Sequence, residues 1–267
     1  MDGPPVSLAG YLDRPITPAD PGLLELVDGG PCDPGLALPV SEMERMTDPG
    51  PLEVETGWCR LDDGVGFVAA RVEFPGVTPE MIDWWFDWHP RRPERYVAWH
   101  PTAHVGASAV FPEEAGAKKH WGAVHEVVED VGLGEVKARI EFVAPSELGF
   151  AGNHLDDPDV GTIVCGFVGD RRARHSKMCH VWLREGNGLV LRSHFWLGSN
   201  VAPRLPESIG WLGRAIHGPL NSRLVRKLAL PKDLPQALDR HCVEEYTNLA
   251  VILPPLYREF ANEKGEK

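Results

Sequence analysis

Cysteine is scarce in this chain: five among 267 residues, odd in number, widely spaced and without a Cys-x-x-Cys pair. That argues against a disulfide framework and against a thiolate zinc site, and it predicts reduced thiols in a cytoplasmic protein. A metal, if there is one, has to be held by His nitrogen and carboxylate oxygen. Basic residues are in deficit too, with 27 Lys and Arg against 39 Asp and Glu and a net charge of −12. Such a chain repels phosphate backbones and anionic lipid, so neither nucleic acid nor a membrane is expected as a partner. Long apolar runs are missing. The longest near the C-terminus, residues 249–253, falls far short of the ~20 residues that span a bilayer. The first residues, Met-Asp-Gly-Pro-Pro, have neither a basic nor an apolar stretch, and no secretory signal is expected.

What is present is an ordinary globular balance, 43% hydrophobic and 25% charged, in a chain long enough to bury a core. Residues 1–56 carry Pro4, Pro5, Pro15, Pro18, Pro21, Pro31, Pro34, Pro39 and Pro49. That density rules out a packed sheet. It predicts an irregular N-terminal extension with one short helix near Ser41–Met46, wrapped over the main domain or a partner subunit. Residues 57–267 read as a single domain. From Gly64 a strand alternates Val65, Phe67, Ala69 and Arg71 and stops at Pro75-Gly76. A helix then starts with Thr78 as N-cap and Pro79 in the first helical position. It carries Trp84, Trp85 and Trp88, which suits packing in the core, with stacking on a substrate as the alternative. Further strands are expected at 95–99, 121–128, 136–143, 162–168, 177–184 and 189–196, the last two joined by the hairpin signal Glu185-Gly186-Asn187-Gly188. A long helix from Leu234 to Leu253, ended by Pro254-Pro255, closes the chain. This order points to an α+β fold, a curved antiparallel sheet gripping one long helix.

The closing helix holds the sharpest chemical signal. On a 3.6-residue period Leu234, Leu238, His241, Glu245, Leu249 and Ile252 form one stripe. His241 and Glu245 would then point inward as neighbours four residues apart. A buried carboxylate needs a cation or several donors. A metal bound by His and Glu meets that need, and a simple His–Glu pair on a half-exposed face meets it as well. Two more histidines, His100 and His104, follow the segment Arg95–Trp99. In the acidic stretch after Trp121, alternation puts Glu129 on one face and Glu126 with Asp130 on the other, while Glu135 falls on a solvated face.

Several stretches together resemble the 2,4-diacetylphloroglucinol hydrolase and phloretin hydrolase family. They are residues 75–89 with the Trp-Trp helix, Arg95-Tyr96 through Trp99-His100-Pro101 to His104, residues 128–132, residues 145–150 and residues 191–198, completed in order by His241 and Glu245. The resemblance covers roughly residues 50–250. It implies a helix-grip (Bet v1-like) fold with a helical N-terminal extension, a homodimer, and one zinc ion on two His and two Glu, which carry over as His104, Glu129, His241 and Glu245. His104 is preferred to His100 because the family ligand follows the Tyr of Arg95-Tyr96 by eight positions. For the second ligand, counting from His104 selects Glu135, whereas the local motif and alternation select Glu129; Glu129 is taken here.

The activity implied is cleavage of the C–C bond between an acyl group and a polyhydroxylated aromatic ring, with a small aromatic ketone as substrate. The implied roles are substrate contact or proton transfer for His180, a hydrogen bond to the phenolic substrate for Tyr96, and base or ligand for Glu245. The chain departs from the family at His194, where an Arg is usual, and at Ala107, where a polar amide is expected. It also lacks any Tyr between Tyr96 and Tyr246. Altered phenol recognition, and a different substrate, are therefore expected. The rival reading is a non-catalytic helix-grip protein that binds a hydrophobic aromatic molecule, and metal content separates the two.

Overall fold

The structure, a computed structural model, describes residues 7–113, 116–152 and 154–262; Pro4 and Pro5 of the extension lie outside the described residues. Strands β1 (Gly57–Arg60), β2 (Gly66–Phe74), β3 (His104–Val110), β4 (Val124–Asp130), β5 (Glu135–Val143), β6 (Val160–Gly169), β7 (Ala173–Glu185) and β8 (Gly188–Leu197) form one sheet in the order β1-β2-β8-β7-β6-β5-β4-β3, with short β9 (Ala202–Pro203) on β7. Every pairing is antiparallel. The β7–β8 hairpin turns on Gly186 and Asn187, and Gly186 has φ +57°, the left-handed conformation that glycine allows in so tight a turn.

The helices are α1 (Ala9–Leu12), α2 (Pro21–Asp28), α3 (Pro79–Trp88), α4 (Pro93–Trp99), α5 (Pro145–Leu148), α6 (Gly210–Leu220), α7 (Arg223–Ala229) and α8 (Leu234–Phe260). The curved sheet holds α8 on its inner side. There Leu249, Ile252, Leu253 and Leu256 are fully buried with Phe74, Trp182 and Leu191 of the sheet. This is the helix-grip arrangement. The outer side has its own core, in which Leu38, Met43, Met46 and Leu52 of the extension cover Phe67, Val181 and Trp196. Arg192 fixes that cover by donating to the carbonyls of Met46 (3.0 Å), Asp48 (2.9 Å) and Gly50, and Trp196 Nε1 donates to Leu38 O at 2.8 Å.

Four expectations need correction. Residues 95–99 are not a strand. They belong to α4, which has Pro93 in its first turn and buries residues 95, 96, 98 and 99, a helical rather than alternating spacing. Trp121 to Ala123 form a turn, and β4 starts only at Val124. Thr78 sits at the N-cap of α3, yet its side chain makes no capping hydrogen bond. Finally, α8 does not stop at Pro254-Pro255 but runs to Phe260. Its last turns bury Leu256 and Phe260, with Phe260 against Trp88 at 5.2 Å and Tyr257 against Trp84 at 5.3 Å. Burial of that size, ~1.5–3 kcal/mol per side chain, offsets the ~3 kcal/mol cost of an interior proline.

The short helix near Ser41–Met46 is a 3-10 turn over Val40–Thr47. The extension holds α1 and α2 beyond the one short helix expected there, and α5, α6 and α7 also lack a counterpart among the elements expected from the sequence. The tryptophan helix packs as core: Trp85 is fully buried and Trp99 stands against it at 5.7 Å.

Candidate active site

The site lies between α8, α4 and the β3–β4 edge of the sheet. His104 opens β3, opposite Glu129 near the end of β4, and the register shifts just beyond it. His241 and Glu245 approach from α8, and Tyr96 comes from α4. The ligand atoms of His104, Glu129 and His241 all lie within 4.8 Å of one another. His104 Nε2 is 3.3 Å from His241 Nε2, 3.4 Å from Glu245 Oε2 and 3.8 Å from Glu129 Oε2. His241 Nε2 is 3.6 Å from Glu245 Oε2. Donors arranged tetrahedrally at zinc distances of ~2.0–2.1 Å stand roughly 3.3–3.4 Å apart, so the separations of His104, Glu129 and His241 suit a cation among them, with Glu245 beside the two imidazoles.

Supporting hydrogen bonds aim the donors. His104 Nδ1–H donates to the Tyr96 carbonyl at 3.0 Å, which leaves the Nε2 lone pair facing the cluster. The Tyr96 hydroxyl donates to Glu129 Oε2, and its ring stacks on His104 at 3.9 Å and 1°. Trp99 Nε1–H donates to the Glu245 carbonyl at 2.8 Å, and Asn248 Nδ2 donates to the Trp99 carbonyl at 2.7 Å. Burial holds the imidazoles of His104 and His241 down to about 4, so both are neutral lone-pair donors. Burial, with Glu129 adding to it, pushes the Glu245 carboxyl up to about 8. Two neutral imidazoles and the carboxyl groups of Glu129 and Glu245 form a donor set that a divalent cation fits, with Glu245 losing its proton where a cation binds.

A cavity of ≈ 110 Å³ adjoins this cluster. Phe86, Trp99, Phe142, Phe195 and Leu238 supply apolar wall, and His89, His125, His180 and Tyr246 supply polar atoms. Ligand pockets usually start near 300 Å³, so a substituted ring enters only if the walls give way somewhat. His180, on β7, is buried, and its Nε2 lies 3.2 Å from the Tyr246 hydroxyl. Burial alone takes its imidazole down to about 3.

The structure therefore brings His104, Glu129, His241, Glu245 and Tyr96 together, with His180 on the adjoining cavity wall. Glu135 stands exposed at the start of β5 opposite Asp130, and His100 lies outside the cluster with its ring stacked on His241 at 5.3 Å. Tyr246, His89 and His125 line the cavity but carried no signal in the sequence. One stripe of α8 was legible, yet the sheet curls around the helix and buries the stripe of Cys242 and Tyr246 as well.

Fold and site together define a helix-grip protein with a buried His/carboxylate cluster at one end of an aromatic-walled cavity. The chain belongs to the family described as "DAPG hydrolase PhiG domain", whose model matches residues 38–258. It is 29% identical over 263 residues to the phloretin hydrolase of Eubacterium ramulus, covering 93% of this chain and 88% of that protein. It is 27% identical over 232 residues to the 2,4-diacetylphloroglucinol hydrolase of Pseudomonas protegens (strain DSM 19095 / LMG 27888 / CFBP 6595 / CHA0), covering 83% of this chain and 73% of that protein. Among solved structures, a START superfamily protein from Mycobacterium smegmatis is similar at 12% identity and TM-score 0.33, covering 61% of this chain and 93% of that one.

Proposed function

We propose that the protein is a zinc-dependent hydrolase that cleaves the C–C bond between an acyl group and a polyhydroxylated aromatic ring, with residues 57–267 as its catalytic domain and residues 1–56 as an extension. The observation that carries this reading is the convergence of His104, Glu129 and His241 at spacings suited to one dication, with Glu245 3.4 Å from His104 and 3.6 Å from His241, beside a cavity walled for an aromatic ring. The names of the phloretin and diacetylphloroglucinol hydrolases support the substrate class.

The overall change is aryl ketone plus water to arene plus carboxylic acid. Ring hydroxyls ortho and para to the acyl group allow a keto tautomer with a proton on the carbon that bears it. Water then adds to the acyl carbonyl, and the C–C bond breaks with its electron pair returning to the ring as an enolate. A zinc ion held by His104, Glu129, His241 and Glu245 supplies a Lewis acid for the carbonyl and acidifies water. Tyr96 orients Glu129, and the apolar wall keeps bulk water from the ring. The proton at the ring carbon is assigned in this reading to His180, which lines the cavity and pairs with the Tyr246 hydroxyl.

Elemental analysis of purified protein tests this, alongside acetate release from monoacetylphloroglucinol. The expected result is near one zinc per chain and acetate formation, with both lost in His241→Ala and Glu245→Ala. Full metal retention in both variants overturns the site. Absence of both metal and acetate in the wild type favours the binding-protein alternative, in which the same cavity carries an aromatic ligand without chemistry. A homodimer belongs to the same proposal. Trp211, Leu224 and Leu228, 61%, 67% and 78% exposed on α6 and α7, offer apolar surface for it, and sedimentation velocity reads the result.

A further inference from the structure

The polar atoms lining the cavity divide into two groups. Tyr96, Glu129, His241 and Glu245 are engaged in or around the cluster, and His180 is engaged with Tyr246. His89 and His125 are left over, their rings 5.6 Å apart at 80°. His125 projects from β4 on the same face as Val127 and Glu129, four residues from Glu129 and so roughly 13 Å along the strand. His125 is therefore the member farther from the cluster, and His89 stands between it and Tyr96, on whose ring it stacks at 5.9 Å.

His89 Nδ1–H donates to the Trp85 carbonyl at 2.7 Å, which fixes the tautomer and leaves Nε2 as an acceptor. Among the described residues that Nε2 makes no hydrogen bond. His125 is 1% exposed, its Nε2 is buried with no partner, and its Nδ1 makes no hydrogen bond among the described residues either. A neutral His125 has one N–H to give. Burial keeps both rings neutral, with His89 held down to about 3. Leaving such groups unpaired is costly, so something small and polar is expected between them. His120, also buried and unpartnered, packs against Phe86 and Phe142 and does not line the cavity.

We propose that His89 and His125 form a distal subsite for the substrate hydroxyl farthest from the acyl group. A hydroxyl donates to His89 Nε2 and accepts from His125 N–H at the same time. A carbonyl or carboxylate lacks the proton that His89 requires. The surrounding rings, Phe142 at 4.5 Å and Phe111 at 6.2 Å from His125, suit a flat aryl group carrying that hydroxyl. This proposal rests on the hydrolase reading for the acyl end of the ligand.

The test compares monoacetylphloroglucinol with its analogue lacking only the hydroxyl para to the acyl group. The readout is the ratio of kcat/KM for the two ketones, or of Kd by calorimetry where no turnover occurs. Wild type is expected to favour the para-hydroxylated ketone about tenfold more than His125→Phe does, with zinc content unchanged, and His125→Gln should recover part of the preference. A ratio unmoved by His125→Phe, or absent in the wild type, overturns the subsite; if Phe is not tolerated, His125→Leu reads the same ratio. Cleavage with an unmoved ratio sinks the subsite alone. A Kd ratio that collapses in the variant, without cleavage of either ketone, leaves the subsite standing and sinks the hydrolase.

Discussion

Tyr96 serves the site with three of its parts: its carbonyl fixes the His104 tautomer, its ring stacks on that imidazole, and its hydroxyl holds Glu129. Tyr96→Phe keeps the first two and deletes the third. If the cluster binds zinc as proposed, the expected result is an affinity weaker by roughly 10–100-fold with an unchanged fold, read by chelator competition and circular dichroism. Unaltered affinity would mean that Glu129 needs no such holder. His194 tests a different cost. It lies fully buried on the outer face of β8, between Phe67 at 5.3 Å and Trp196 at 5.7 Å, with both ring nitrogens unpartnered. Burial holds its imidazole down to about 3, below the ordinary 6.5, so folding excludes a proton that the unfolded chain binds. The stability it permits is complete above pH 6.5 and drains away as pH falls toward 3. In His194→Phe the acid limb of stability against pH should flatten by up to one proton, about 1.4 kcal/mol per pH unit, in denaturant titrations between pH 4 and 6. At this scale Glu129 was legible because alternation along β4 separates it from Glu126 and Asp130. His125 shares that inward face, yet nothing in the sequence says what opposes a strand residue across a cavity.

Among the elements, β2, α3 and the strands β5 to β8 were legible because their periodicity and turn residues agree. Helix α4 was not. Residues 95–99 are short and rich in aromatic and β-branched types, so local preference leans to strand, and the tertiary fit of Tyr96 and Trp99 decides otherwise. The same holds for the end of α8, where two prolines announce a stop that the packing of Leu256 and Phe260 overrides. If that packing keeps the last turns helical, Phe260→Ala should cost about 3 kcal/mol, at the low end for Phe truncation because the helix end can relax. A midpoint shift in guanidinium unfolding measures it. A loss under about 0.5 kcal/mol, the range of ordinary surface changes, would show that the turns beyond the prolines contribute little.

For the whole molecule, the order of strands and the closing helix was enough to read a sheet around a helix, and the family resemblance pointed to His104, Glu129, His241 and Glu245, of which the first three stand within metal-ligand reach of one another. Helices α6 and α7 escaped because residues 199–233 carry apolar side chains that stay exposed, so burial imposes no clean stripe on them. The two halves of the cluster come from parts of the chain more than 100 residues apart. An ion that binds only the folded state stabilises it by mass action, about 4 kcal/mol at a thousandfold excess over Kd. Chelation should therefore lower the melting temperature by several degrees in calorimetry, and restoring zinc should return it.

An edge strand of the sheet, β3, contributes His104, its neighbour β4 contributes Glu129, and α8 contributes His241 and Glu245. A cation here would work as a rivet between a fraying rim and the central axle. Amide hydrogen exchange along β3 and β4 should quicken on demetallation, while β7 and β8, clamped from both sides, keep their pace.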